Sequence, residues 1–276
     1  MNQKNVIKAI LRARYKKKIE SFKAKIQIDI NKKNYIIKTA SNQDELEQVL
    51  TLRHQVFLEE LLHKKRIIEV DFDKFDLLCD HLMIINKNDN ALIGTYRLNC
   101  SKFNKDFYSA TEFNIDAILE LPGDKVELGR ACVHQDYRNG MTIALLWKGL
   151  SEYMTRSESR FFFGCSSIKS MDYMLILRIF QALAKSGNMV QLPDVKPIGK
   201  FKSKSLRKLI KSHNLEQEIE DPNLLDQLPP LLKSYIKAGA KVIGEPALDK
   251  DFQCFDFLTL LDFHNADQKY KDKYSK

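Results

Sequence analysis

Residues 126–150, reading VELGRACVHQDYRNGMTIALLWKGL, limit the possible folds more than any other stretch of this chain. Alternating apolar residues predict a strand, the Tyr137-Arg138-Asn139-Gly140 run a polar turn, and the apolar periodicity after it a helix. A strand that feeds a helix through a tight polar turn is a building block of layered α/β folds. The helix N-terminus presents backbone N–H groups and the positive end of the dipole, so it favours an anion such as a phosphate. Arg138 adds a formal charge there.

The strand itself carries opposite charges, Glu127 and Arg130, around Gly129. Strand side chains alternate faces, so the two should point apart in a regular strand. A glycine inside a strand often marks a bulge that re-aims the residues after it, and Gly129 is the expected bulge that brings both groups to one site. The competing reading is an edge strand with solvated charges.

With 276 residues the chain can bury a sizeable core, and 44% hydrophobic residues exclude general disorder. No run approaches the ~18 apolar residues of a membrane span. No apolar segment of a secretory signal comes after the basic N-terminus, so a cytoplasmic protein is expected. The five cysteines (Cys79, Cys100, Cys132, Cys165, Cys254) are scattered and lack paired spacing. That pattern predicts reduced thiols, no disulfide framework and no metal site.

The net charge of +9 is unevenly spread. Between Lys4 and Lys25 nine basic residues face one acid, Glu20, and a second basic run spans Lys200 to Lys211. Such patches suit an acidic protein, an anionic membrane surface or nucleic acid, or are merely solvated helix faces. Val6, Ile7, Ile10, Leu11, Tyr15, Ile19 and Phe22 recur at helical spacing within the first run, predicting a basic amphipathic helix in residues 1–30. This helix either contacts an anionic bilayer peripherally, at the inner membrane face, or folds back on its own domain.

Further along, Tyr35–Thr39 reads as a strand and Ser41 with Asp44 as a capping box opening a helix to about Leu62. His81–Ile85 and Ala91–Leu98 read as a hairpin. Arg160–Cys165 reads as an aromatic strand, Met171–Lys185 as a helix closed by Gly187, Leu224–Ala238 as a helix and Cys254–Leu261 as a last strand. Hairpins mixed with strand–helix alternation predict a three-layer α/β sandwich around a mixed, mostly antiparallel sheet. The core domain is expected over 31–265 and a polar tail over 266–276. The only plausible internal boundary lies near Leu192–Lys204.

Arg53 and Phe57 fall one turn apart on a predicted helix, with Asp71, Asp73 and Asp76 after them. Three carboxylates this close need neutralising. Their spacing matches no calcium loop, which leaves a cationic amine, pairing with Arg53, Arg97 and Arg130, or a solvated acidic loop. No His-x4-Asp pair, GxSxG elbow, phosphate-binding loop, HExxH or dinucleotide fingerprint occurs, so none of those chemistries is expected.

In order, Arg53 and Phe57, the three aspartates, Arg97 in Leu-Ile-Gly-Thr-Tyr-Arg-Leu, and Glu127-Leu-Gly-Arg130 resemble the acyl-homoserine-lactone synthase branch of the GNAT acyltransferases. The Leu-Leu-Trp-Lys-Gly-Leu helix, Gly164-Cys165-Ser166-Ser167, and Pro-Pro-Leu-Leu-Lys-Ser-Tyr with the later Asp-Lys-Asp-Phe resemble a sister group more closely. That group is the ornithine–acyl carrier protein N-acyltransferases, sometimes labelled hemolysin-like, and the resemblance spans about residues 35–262. It implies a GNAT-like fold with extra terminal helices and a fatty acyl group, long-chain and 3-hydroxylated, moved from acyl carrier protein to ornithine's α-amine, giving a lysolipid. It implies no bound cofactor, the acyl–phosphopantetheine thioester being a co-substrate. GNAT proteins usually carry a glycine-richer phosphate loop than Arg-Asn-Gly-Met-Thr here. A carrier protein's single phosphodiester tolerates fewer glycines, and its acidity complements Lys200, Arg207 and Lys208.

On this reading Glu127 is the proton acceptor for the attacking amine and Arg130 orients it or binds the substrate carboxylate. Arg53, Phe57, Asp71, Asp73, Asp76 and Arg97 hold the substrate. Val133, Tyr137, Arg138, Asn139, Gly140 and Thr142 hold the pantetheine arm. Alternatives are a different acceptor (another amino acid, or lactone formation) or a non-catalytic basic membrane-binding module. No aromatic RNA-binding motif is present, and no nucleic-acid partner is expected.

Overall fold

In the computed structural model, residues 3–213 and 223–266 are described. Most of the polar tail, 267–276, lies outside them. The chain divides into two compact units, one holding residues 3–105 and 128–158, the other 106–127 and 159–266.

The first unit begins with helix α1 (Gln3–Ile19), then the β1–β2 hairpin (Asp29–Lys32, Tyr35–Thr39) and helix α2 (Gln43–Arg53). The hairpin β3–β4 (Asp80–Asn86, Ala91–Cys100) comes next, and neighbours β1 through β4 all pair antiparallel. The N-cap of α2 is Asn42, whose side chain accepts from the N–H groups of Asp44 and Glu45. Ser41 instead gives its N–H and hydroxyl to Glu45, so the cap falls one residue later than its sequence pattern implies. Beyond Arg53 the helix widens into a π-helical turn, His54–Glu60. The second half of strand β6 (Lys125–Val133) and helix α4 (Gly140–Ser157) complete this unit. Gly149 lets α4 sit directly on the sheet, because a Cβ there would lie 2.6 Å from Leu82 Cδ2.

Helix α1 divides along its length. Tyr15, Ile19 and the nearby Phe22 are buried with Leu46, Val49, Leu50 and Met83, whereas Val6, Ile7 and Ile10 are exposed. The fold-back expectation therefore holds for the second half of the helix alone.

The second unit contains the short strands β5 (Phe113–Asn114) and β9 (Lys196–Pro197), which pair with each other, and helix α3 (Asp116–Leu119). Residues 125–127 of β6 pair parallel with β7 (Phe161–Ile168), and this pairing ends at Glu127↔Phe163. Strand β7 pairs antiparallel with β11 (Cys254–Asp262), β11 antiparallel with β10 (Lys241–Asp249), and β10 parallel with β8 (Met189–Val190). Parallel and antiparallel pairing together make the mixed sheet expected of the sequence. Helices α5 (Tyr173–Lys185), α6 (Lys204–Ser212) and α7 (Pro230–Lys237) supply apolar faces to a core around Phe255, Phe257 and Ile176.

Two expectations about this unit need correcting. The helix foreseen over Leu224–Ala238 is a 3₁₀ turn, Leu224–Gln227, and then α7, because Pro229 and Pro230 break the first segment and start the second. Strand β10 was not foreseen. Gly and Pro are poor strand formers, but Gly244 and Pro246 occupy an irregularity between Ile243 and Ala247 that lets the strand continue.

Candidate functional site

In the first unit the charged residues singled out from the sequence form one ion network. Arg53 Nε and Nη2 donate to Asp71 Oδ2 at 2.9 and 2.6 Å, and Nη1 donates to Asp76 Oδ1 at 2.6 Å. Arg97 Nη1 reaches Asp73 at 2.7 Å and Asp76 at 3.1 Å. Arg130 adds Nη2 to Asp73 at 3.4 Å and Nε to Asp71 at 3.5 Å. Three guanidinium groups thus balance three carboxylates, and Arg53 and Asp76 are fully buried.

Charge, not exposure, sets the titration here. The guanidiniums hold Asp71 and Asp76 below the usual carboxylate range, although burial alone would raise both. Of the three alternatives left open, pairing with the arginines is the one present. The carboxylates are consequently engaged, and the network shapes the strand ends instead of offering spare negative charge. Phe57 lies on the π-helical turn and packs partly buried against Leu52, Val56 and Cys132, apart from the ion pairs.

Arg130 reaches this network through its backbone. Its φ is +49°, a left-handed conformation that non-glycine residues rarely adopt, whereas Gly129 shows no positive φ. The kink expected at Gly129 therefore falls one residue on, and it turns Arg130 toward Asp71 and Asp73.

At the turn into α4, Asn139 Oδ1 accepts the N–H groups of Met141 and Thr142, both at 3.0 Å. Thr142 Oγ1 donates to the Tyr137 carbonyl at 2.6 Å, and the Tyr137 hydroxyl donates to Asp89 at 2.9 Å. Arg138 forms a bidentate pair with Glu60 at 2.5 and 2.6 Å and also donates to the Val133 carbonyl. The turn is thus built and largely self-satisfied. An incoming phosphate must compete with Asn139 for N–H groups and with Glu60 for Arg138.

Glu127 lies in the second unit and is 5% exposed. Its carboxylate accepts the N–H of Tyr108 at 2.9 Å and the N–H of Ser109 at 2.6 Å. Each oxygen is thereby held in place. A carboxylate so fixed can take a proton from an amine directly or through one water.

Ser109 and Cys165 connect Glu127 to groups that the sequence reading missed. Cys165 Sγ lies 3.6 Å from Ser109 Oγ, and Cys165 hydrogen-bonds Glu112 in turn. Glu112, Asp249 and Asp256 are 1%, 5% and 3% exposed. Burial first, then repulsion from neighbouring carboxylates, raises the pKa of both Glu112 and Asp256. An available signal was Asp256 itself, an acid inside the otherwise apolar Phe-Asp-Phe-Leu strand.

The basic run becomes helix α6, with Leu206 buried and Arg207 and Lys208 exposed. Lys204, Arg207, Lys208, Lys211 and Ser212 line a shallow surface depression. Lys200 pairs with Asp251 and Arg207 with Glu245, both at the surface. The aromatic triplet Phe161–Phe163 is buried, with Phe163 edge-to-face on Phe107 at 5.1 Å.

Comparison with known proteins adds three findings. Residues 52–148 match the GNAT acetyltransferase domain. The chain is similar to the L-ornithine N(alpha)-acyltransferases of Agrobacterium fabrum (29% identity over 260 residues, 85% of this chain and 83% of that protein) and Rhizobium meliloti (28% over 264 residues, 87% and 84%). A solved CoA-dependent acyl-homoserine lactone synthase, BjaI, superimposes with a TM-score of 0.46 at 15% identity, covering 83% of this chain and 80% of its own. Residues 52–148 thus match a GNAT domain, and the relatives that cover most of the chain are N-acyltransferases.

Proposed function

We propose that the protein transfers a long-chain fatty acyl group from acyl carrier protein to the α-amine of ornithine, giving an N-acyl-ornithine lysolipid. The observation that carries this reading is similarity over more than four-fifths of the chain to proteins named for that acceptor. Glu127 fits the part of proton acceptor, as a buried carboxylate fixed by two N–H donors. The amine nitrogen attacks the thioester carbonyl, the C–N bond forms, and the C–S bond breaks to release the pantetheine thiol. The amine's proton passes to Glu127 and then to the departing sulfur, which leaves as the thiol, and no acyl-enzyme is needed.

Two features support the choice of donor and setting. Exposed Arg207 and Lys208 on α6 complement an acidic carrier protein. The exposed Val6, Ile7 and Ile10 on basic α1 suit an enzyme whose product partitions into a membrane. No helix among the described residues is long and apolar enough to cross one. The test is to incubate the protein with acyl-loaded carrier protein and a panel of amino acids, then identify products by mass spectrometry. Acyl-ornithine as the main product is expected. Acylation of a different acceptor, or turnover with acyl-CoA and not with the carrier protein, removes the corresponding half of the reading.

A further inference from the structure

Buried carboxylates are normally paired with cations, because an isolated ionised group in a low-dielectric interior is costly. The ion network of the first unit obeys this rule, with three acids and three guanidiniums. Glu112, Asp249 and Asp256 do not. Among the described residues no lysine, arginine or histidine forms an ion pair with any of the three.

Hydroxyl, thiol and backbone N–H groups surround them, and Lys200, paired with Asp251, is near enough to attract Asp249 and Glu112 without forming an ion pair with either. Ser167 Oγ donates to Asp256 Oδ1 at 2.5 Å, and Cys254 Sγ approaches Asp256 Oδ2 at 3.7 Å. Asp249 Oδ1 accepts the N–H groups of Asp251 and Phe252 at 2.8 and 3.1 Å. One ligand atom each from Asp249, Cys254 and Asp256 lies within 4.8 Å of the others. Facing Asp256 and within hydrogen-bonding reach of it is Glu112, which also contacts Tyr108 and Cys165 and whose Oε2 is buried with no donor of its own. A fully buried carboxylate oxygen without a donor, beside two more acids, is suited to a cationic hydrogen-bond donor.

From this arrangement we infer that Glu112, Asp249 and Asp256 form the seat for the side-chain ammonium of a diamino-acid acceptor. The inference rests on the acceptor reading above and goes further, since it explains which of two amines reacts. An amine attacks a thioester only with its lone pair free. A δ-nitrogen seated among three carboxylates keeps all three hydrogens and cannot attack. The α-amine, which gives its proton to Glu127, remains the nucleophile. The contact path from Glu127 through Ser109 and Cys165 to Glu112 places proton acceptor and ammonium seat in one unit. Burial and mutual repulsion raise the carboxyls of Glu112 and Asp256, and an ammonium among them would offset that repulsion.

The test compares ornithine with norvaline, which lacks only the δ-amine, using acyl-loaded carrier protein and tandem mass spectrometry to locate the acyl group. In wild type, kcat/KM should favour ornithine strongly, and the product should be acylated at Nα alone. In Asp256→Asn the ornithine-to-norvaline ratio should fall at least about thirtyfold, as for a buried charge pair cut on one side, with Nδ-acyl product appearing. Glu112→Gln provides the same reading should Asp256→Asn fail to fold. A ratio within about twofold of wild type in a folded variant overturns the inference, as does a wild type that uses norvaline as well as ornithine. A stoichiometric divalent metal in the purified protein, whose removal abolishes norvaline turnover too, also overturns it by assigning the acids to a metal. A wild type that acylates neither amino acid sinks the acceptor reading itself, and the two failures are distinct.

Discussion

Single residues here show how neighbours set chemistry. His81 is fully buried, its Nε2–H donating to the Asp76 carbonyl at 2.8 Å, and burial lowers its pKa from 6.5 to about 4. The unfolded chain therefore binds a proton between those values that the folded chain refuses. The His81 contribution to stability should fall as pH drops from about 6.5 to 4, by up to about 1.4 kcal/mol per pH unit, while the raised Glu112 and Asp256 contribute the opposite slope. Denaturant titrations of wild type and His81→Leu across that range isolate the His81 share as the difference between their slopes. Glu127 is tested more directly. Glu127→Gln can keep only one of the two N–H contacts, since its amide nitrogen cannot accept, and it removes the proton acceptor, so kcat should fall about 10²- to 10⁴-fold. A variant with full kcat at neutral pH would deny Glu127 that part.

At the scale of elements, strand β10 survives its own breakers. Gly244 has φ +67°, and a Cβ there would lie 2.5 Å from the Val195 carbonyl oxygen. Gly244→Ala combines backbone strain with a clash against main chain, and thermal unfolding should show a loss of about 1–3 kcal/mol or more. The same element-level accounting explains α6. Its buried Leu206 anchors one side while Arg207 and Lys208 stay solvated, so reversing their charge should not disturb the core. Arg207→Glu with Lys208→Glu should raise the KM for carrier protein, with a smaller effect at high salt. An unchanged KM would separate α6 from donor binding.

Across the whole molecule, the N-terminal helix splits into a part that folds and a part that faces solvent. Removing the chain through Ile10 takes away Val6, Ile7 and Ile10, all about half exposed, and should leave the unfolding transition nearly in place. It should also weaken cosedimentation with anionic vesicles. Removing the chain through Phe22 strips Tyr15, Ile19 and Phe22 from the first unit's core. Each such loss costs about 2–5 kcal/mol, against a total of about 5–15 kcal/mol for a typical domain, so cooperative unfolding should be lost. Calorimetry of the two truncations distinguishes these outcomes.

Local pattern was enough to determine the order of most elements, the mixed sheet and the acyltransferase resemblance, because apolar periodicity and turn residues act over a few positions. It also marked every member of the Arg53–Asp71–Asp73–Asp76–Arg97–Arg130 network. Tertiary structure decided what those charges do, since mutual neutralisation depends on distances between residues up to 59 positions apart, as in Arg130 with Asp71. It alone placed the kink on Arg130, kept β10 running through Gly244 and Pro246, and brought Glu112 to Asp249 and Asp256. A cluster of buried acids is a property of the packed interior, where solvent is gone and neighbours come from segments far apart in sequence.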